Sequence, residues 1–302
     1  MSSAQNIIIS GGFDDIRSKD LRFLDQASRL GALTVLLWND QAIEKFTGKP
    51  PQFPLAERNY VLNAIRYVAR VVPIDNGNAT PDLDSLPEIP GLRPDVWVDI
   101  EASANAKRKK FCRNKDVLYR VFKDEDVAGF PEPSSGAGIL PASSKSGEHG
   151  SADLPAGQVV QPNVPTHKKV VATGCFDWIH SGHVRFFEEV SAYGELYIIV
   201  GHDQNIRLLK GKGHPFFPQE ERRYAVSSIK YVKQALISTG DGWLDADPEI
   251  RRLKPDIYVV NEDGDKGGKR EYCRKLGIEY LVLKRAPARG LPKRSSTDLR
   301  GF

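Results

Sequence analysis

Residues 170–183 read VVATGCFDWIHSGH, and residues 7–20 read IIISGGFDDIRSKD. Each stretch is a short apolar run ending at a glycine (Gly174 or Gly11), then Phe-Asp, then a segment with helical spacing. A buried strand, a glycine turn and a helix in that order open a parallel α/β sheet. The match between the two stretches continues outward. RFLDQASRLGALTVLLWNDQ (22–41) lies over RFFEEVSAYGELYIIVGHDQ (185–204), and LRPDVWVDIE (92–101) over LKPDIYVVNE (253–262). GKPPQFPLAERNYVLNAIRYV (48–68) lies over GKGHPFFPQEERRYAVSSIKYV (211–232) with one gap, and Phe111-Cys112-Arg113 over Tyr272-Cys273-Arg274. Self-similarity this long and this well registered marks a duplication, so the chain is two copies of one module.

Between the copies, the stretch FPEPSSGAGILPASSKSGEHGSADLPAGQVVQPNVPTHKK is rich in Pro, Gly, Ser and Ala. It carries too little large apolar surface to offset the entropy of ordering and reads as a flexible linker. In the second copy, Val170–Ala172, Leu196–Val200, Ile257–Val260 and Tyr280–Leu283 read as strands. The spacing of Val184, Phe187 and Val190 predicts a helix over 182–193, ended by Gly194; further helices are predicted over 219–232 and 268–276. Alternating strand and helix predicts a parallel sheet covered on both faces. In such sheets ligands sit outside the carboxyl ends of the strands, at the switch point, and GCFDWIHSGH leaves the first strand at that edge.

Composition narrows the class. The 302 residues are 40% apolar and 27% charged, with a net charge of +4, an ordinary globular balance for two domains. The basic residues form no compact block, which argues against a nucleic-acid partner. The three cysteines, Cys112, Cys175 and Cys273, are widely spaced without a CxxC pair, so neither a disulfide framework nor a zinc site is expected. The opening MSSAQNIIISGG lacks the pattern of a secretory signal, and no segment has the ~18 apolar residues of a membrane span. A cytoplasmic location is expected.

Chemistry concentrates at the second copy's first turn. Gly174 lets the backbone turn and approach a ligand. A helix starting near Gly182 offers unpaired N–H groups and the positive end of its dipole to a phosphate. His180 and His183, three apart, point to one side of that helix start. Two imidazoles there can donate hydrogen bonds to phosphate oxygens and stabilise charge growing in a transition state. The competing readings are a purely architectural pair, or a zinc site with Cys175 that lacks a fourth ligand. Cys112 and Cys273, at equivalent positions, read as small packing residues.

With these residues the segment resembles the HxGH signature of the cytidylyltransferase-like nucleotidyltransferases, which include ethanolamine-phosphate cytidylyltransferases and heptose-phosphate adenylyltransferases. Further elements agree in order. His202-Asp203-Gln204-Asn205 with Leu209-Lys210-Gly211-Lys212 looks like the family's post-strand loop. Glu221-Arg222 looks like its ER motif, and Arg294-Ser295-Ser296-Thr297 like its R-x-S-T element. The resemblance covers nearly all of 168–302. It implies two tandem Rossmann-like nucleotidyltransferase domains with parallel sheets: a degenerate one at 1–130, a linker at 131–167 and a catalytic one at 168–302. It implies transfer of NMP from CTP or ATP to a phosphorylated alcohol or sugar with release of pyrophosphate, Mg²⁺ arriving with the nucleotide and no protein metal site. His180, His183, Lys210 and Arg222 are implied as catalytic. Gly174, Cys175, Phe176, Asp177, Gly182, Lys212, Arg294, Ser295, Ser296 and Thr297 are implied as nucleotide-binding. The alternative is a non-catalytic nucleotide-binding regulatory protein.

The first copy departs where the chemistry should be. His180 is matched by Arg17, Gly182 by Lys19, His183 by Asp20 and Arg294 by Pro133, whereas Gly11, Phe13, Asp14, Lys49 and Arg58 survive. Asp20 would repel an anion from the helix start. The first copy is therefore expected to keep the fold without the catalysis and to serve as an intramolecular pseudo-dimer partner. The acidic, glycine-rich run Asn261–Gly268 departs from the family's common form at the strand end that meets base or acceptor.

Overall fold

The computed structural model describes residues 5–74, 82–131 and 168–299. The linker expected at 131–167 lies, apart from Pro131, outside the described residues, as do Pro133 and the side chain of Thr297.

The first module runs β1 (Asn6–Gly11), α1 (Ser18–Ser28), β2 (Ala32–Trp38), α2 (Asp40–Thr47), α3 (Leu55–Asn63), β3 (Arg70–Ile74), β4 (Val96–Ile100), α4 (Ala106–Asn114) and β5 (Leu118–Phe122). The second repeats the series as β6 (Lys169–Gly174), α5 (Ser181–Ser191), β7 (Glu195–Val200), α6 (Asp203–Lys210), α7 (Gln219–Ser227), β8 (Val232–Ile237), α8 (Asp247–Leu253), β9 (Ile257–Asn261), α9 (Lys269–Leu276) and β10 (Glu279–Leu283), then adds α10 (Ser296–Leu299). Each module builds one five-stranded sheet, in the orders β3-β2-β1-β4-β5 and β8-β7-β6-β9-β10. The named strand pairs are parallel, and β1 on β2 and β6 on β7 keep the same register, with Gly11 opposite Leu37 and Gly174 opposite Val200. The chain is thus α/β with two tandem Rossmann-like sheets, as the repeat predicted.

Local chemistry explains the elements. Ile7–Ile9, Leu33–Trp38, Val170–Ala172 and Ile198–Val200 are nearly all fully buried, as central strands covered on both faces require. Gly194 and Gly31 adopt positive φ where the chain turns back into the sheet. A Cβ there would lie 2.3 Å from the Lys168 carbonyl oxygen and 2.2 Å from that of Gln5, so only glycine lets the strands close up.

Three predicted details change. The helix expected over 219–232 stops at Ser227, and Val232–Ile237 is the edge strand β8. Its buried Val232 and Ala235 fall at a spacing that also suits a helix, so periodicity alone could not separate the two. Residues 203–210, expected as a loop, form α6, begun by His202, whose ring nitrogen accepts the Asn205 N–H. The helix α8 was not foreseen.

The modules touch through a reciprocal set of contacts. The Arg66 N–H donates to the Ser228 carbonyl (2.9 Å) and the Lys230 N–H to the Ala64 carbonyl (2.8 Å), flanking an antiparallel bridge between Ile65 and Ile229. Ser18 Oγ donates to Glu221 (2.6 Å) and Ser181 Oγ to Glu57 (2.6 Å). In the repeat alignment 18 matches 181, 57 matches 221, 64 matches 228 and 66 matches 230, so each contact has its mirror image. The same contacts are thus made in both directions across this junction. Apolar side chains from both modules, among them Leu62, Ile65, Tyr224 and Ile229, share one continuous core beneath it.

Candidate active site

The order β7-β6-β9 makes β6 the switch strand, with its neighbours reached by crossovers in opposite directions. Outside its carboxyl end opens a cleft of about 230 Å³. Its walls come from the residues after β6, the start of α5, the end of α6, the end of β9 and the start of α9.

The turn after β6 is built for close approach. Phe176 has φ of 51°, a left-handed conformation that is unusual for a bulky residue. This bends its ring back over Gly174, where a Cβ would sit 2.8 Å from the ring, and the ring also packs on His183 and Phe187. Asp177 is buried and accepts the N–H groups of Phe216 and Phe217 at 2.7–2.9 Å, pinning the loop before α7. The first module repeats every part. Phe13 has φ of 47° and covers Gly11, and Asp14 accepts from Gln52 and Phe53. Gly174, Phe176 and Asp177 therefore do architectural work in addition to bordering the cleft.

Arg222, expected to be catalytic, does not line the cleft. It is 1% exposed, and all three guanidinium nitrogens are bonded to protein: to the Phe217, Cys175 and Gly201 carbonyls and to Asp203. Arg58 makes the equivalent latch with Phe53, Gly12, Trp38 and Asp40. A planar five-donor fork is the side chain that ties several carbonyls at once.

The two histidines sit at the head of α5. His180 is its N-cap and accepts the Gly182 N–H through Nδ1 (3.1 Å). In a neutral ring the proton then resides on Nε2, and that buried N–H has no acceptor among the described residues. His183 Nδ1 is likewise buried without a partner among them. The rings stack at 4.0 Å between centroids. Burial, reinforced by each other's proximity and by Arg285 and Arg294, drives the His180 pKa far below the usual histidine range. Burial first, then Arg285 and Lys210, lowers that of His183 to about 4. Both rings are neutral at neutral pH, and a backbone hydrogen bond to Trp178 partly offsets the fall for His183. His183 forms part of the cleft wall; His180, 2% exposed, lies behind it and borders a small crevice between the modules.

Cys175, Gly182, Lys210 and Ser296 line the cleft; Lys212 is exposed and lies off its wall. The Ser295 carbonyl accepts from Leu299 to start α10. Arg294 is turned away from solvent by Glu57 of the first module, to which its Nε and NH2 donate at 2.8–3.2 Å. Trp178 also faces the first module: the Arg17 guanidinium lies 3.6 Å from its ring centre and its indole N–H donates to Asp15.

Lys269, Arg285 and His214 complete the wall without having been singled out from sequence. Lys269 opens α9 and donates to the Gly264 carbonyl, and burial lowers its pKa. Arg285, just past β10, pairs with Asp263 at 2.6 Å. Arg285 follows the carboxyl end of β10, and counting onward from that strand end would have found it. The lining sets Lys210, Lys269 and Arg285 against two carboxylates, Asp263, already paired, and Asp177, already bonded, so the cleft favours an anionic ligand.

The same positions in the first module are closed on one another. Asp20 caps α1, its carboxylate accepting the Arg17 N–H (2.9 Å), so the helix start holds its own anion. Lys19, in place of Gly182, pairs with Asp124, in place of Arg285. Arg108, in place of Lys269, is buried against Asp99, which also accepts from Ser103 and Tyr119. Cys112 and Cys273 are fully buried, and burial raises both thiols to about 11, as befits packing residues.

A family model described as cytidylyltransferase-like matches residues 171–301. The FAD synthase of Ferroglobus placidus is 40% identical over 120 residues, which is 39% of this chain and 75% of that protein. The FAD synthase of Archaeoglobus fulgidus is 38% identical over 117 residues, 38% of this chain and 81% of that protein. A solved lipopolysaccharide core biosynthesis protein from Thermoplasma volcanium is 28% identical, with 40% of this chain and 97% of that one covered and a TM-score of 0.34. No described helix is long and apolar enough to cross a membrane.

Proposed function

The chain belongs to the cytidylyltransferase-like family and is a nucleotidyltransferase, and from that premise we propose that its second module moves NMP from ATP or CTP onto a phosphorylated small molecule, releasing pyrophosphate. The observation that carries this reading is the stacked, neutral histidine pair at the head of α5, beside a cleft lined by Lys210, Lys269 and Arg285. An oxygen of the acceptor's phosphate attacks the α-phosphorus. The new O–P bond forms as the bond to the β-phosphate oxygen breaks, and the electron pair leaves with pyrophosphate. His183 borders the α-phosphate from the wall, and His180, stacked on it, carries the N–H that no described protein group accepts. Donors preorganised in a site shielded from water stabilise the growing charge without reorganising. The three cations hold the remaining phosphates, with Gly182 leaving room at the helix start and Ser296 lining the far wall. Arg222 sets the shape of the turn rather than touching phosphate.

A divalent cation fits this site as a passenger of the triphosphate. Among the described residues no three His, Cys, Asp or Glu side chains gather as ligands, and Asp263 and Asn261 are oxygen donors on the wall. Once bound, Mg²⁺ would neutralise phosphate charge and polarise the P–O bonds.

Residues 1–130 act in this reading as a silent domain paired with 168–302 as an intramolecular pseudo-dimer, joined by the linker 131–167. The name of the archaeal relatives makes ATP with FMN the first substrate pair to try; CTP with phosphoethanolamine or a sugar phosphate follows. A pyrophosphate-release screen over ATP and CTP with these acceptors is expected to show turnover for one pair. A folded protein that releases none with any pair overturns the transferase reading. Thermal stabilisation by nucleotide that persists in His180→Ala and His183→Ala would then favour a non-catalytic binder.

A further inference from the structure

We propose that the first module is a working part of the second module's site, acting through Glu57 as a positioning residue; this rests on the transferase reading above. Glu57 is 0% exposed and belongs to α3 of the silent copy. Its carboxylate accepts Ser181 Oγ at 2.6 Å and the Arg294 fork at 2.8–3.2 Å. Both partners adjoin the chemistry. Ser181 is the first residue of α5, between His180 and Gly182. The Arg294 carbonyl accepts from Arg285 of the cleft wall (3.0 Å) and packs so near Gly182 that a Cβ there would lie 3.4 Å away. One carboxylate thus fixes the head of the histidine helix and the segment that leads into α10. Both are second-module elements, and the hold reaches them from another domain.

The mirror contact shows that this is more than a symmetric interface. Ser18 donates to Glu221 at 2.6 Å just as Ser181 donates to Glu57. Among the described residues no arginine joins the mirror, and the position matching Arg294 is Pro133 in the sequence. The elaboration occurs only on the side where the cleft is open. A buried carboxylate bonded to an arginine and a hydroxyl cannot be removed without leaving the guanidinium unpaired, so the geometry it sets is held stiffly.

The test uses the full chain with Glu57→Ala, Glu57→Gln and Ser18→Ala. It measures melting temperature, binding of a non-hydrolysable α,β-methylene triphosphate, and kcat and KM for pyrophosphate release. Glu57→Ala is expected to lower kcat at least tenfold, and to weaken analogue binding several-fold. Glu57→Gln, which keeps the acceptor for Ser181, should recover part of the loss, and Ser18→Ala should stay within twofold of the parent. Glu57→Gln also serves as the test variant should the alanine chain fail to fold. Parental kcat and analogue binding in a folded Glu57→Gln or Glu57→Ala chain overturn the proposal. So do equal losses in Glu57→Ala and Ser18→Ala, which would mark a generic interface effect. A parent that binds the analogue but releases no pyrophosphate overturns the transferase reading alone, and the binding comparison then decides Glu57. A parent that binds no analogue overturns both.

Discussion

At the end of β1, Phe13 folds over Gly11, Asp14 holds the loop before α3 and Arg58 laces three carbonyls; at the end of β6, Phe176, Asp177 and Arg222 do the same. A few ångströms further out the modules part company. Where the second has His180, Gly182 and His183 beside a cleft, the first has Arg17, Lys19 and Asp20 bonded to Trp178, Asp124 and its own helix start. The residues the modules share are scaffold, and those they do not share are the candidates for chemistry. If the first copy is silent, as proposed above, the repeat works as a built-in mutational control.

The sharpest way to break the comparison is at the histidines. His183→Ala and His180→Ala are each expected to lower kcat by about 10²–10³, the scale of losing one preorganised donor to a developing negative charge. Both should leave the melting temperature within a few degrees of the parent. Arg17→Ala, at the matching site, should not change kcat by a comparable factor. A loss confined to KM would move the histidines from the transition state to ground-state binding.

The arginine latches come next. Arg222→Lys and Arg58→Lys should each cost about 2–4 kcal/mol of unfolding free energy, because a lysine cannot serve carbonyls in three directions and leaves buried acceptors unpaired. Similar losses in the two modules, measured by denaturant unfolding, would fix the latch as scaffold. A stable Arg222→Lys chain with a raised KM would restore Arg222 to the phosphates.

The smallest expected effect is that of a graft. Arg17→His, Lys19→Gly and Asp20→His together, placed in a chain already carrying His183→Ala, should restore no pyrophosphate release. The histidines alone do not reopen a site whose walls are closed by Asp99 on Arg108 and Tyr119. Recovered turnover would mean that the first module's silence lies only in its helix start.

Much of this was legible in sequence. The turn after each first strand, the alternation of strand and helix and the loss of His180 and His183 in the other copy are all local, and local patterns survive in one dimension. The strand β8 and the helix α6 were missed because short amphipathic runs suit either period. The fates of Arg222 and Arg294 were missed for a different reason. Arg222 was read as catalytic and Arg294 as nucleotide-binding because they are cations in the right motifs, yet Arg222 finds carbonyls at Cys175 and Gly201, and Arg294 finds Glu57 across 237 positions. Nothing near either residue in the chain reports those acceptors.

The sequence by itself determined that there are two modules, that each is a parallel α/β sheet, and that only the second carries the histidines. Hydrophobic period and residue identity act over a few positions and are written directly in the order of residues. The tertiary structure alone decided which cations face the cleft. Lys210, Lys269 and Arg285 point into it, Arg222 points into the frame and Arg294 points to the neighbouring module. A guanidinium or ammonium goes where its unmet donors find acceptors, and those acceptors are assembled only when distant strand ends and two domains come together.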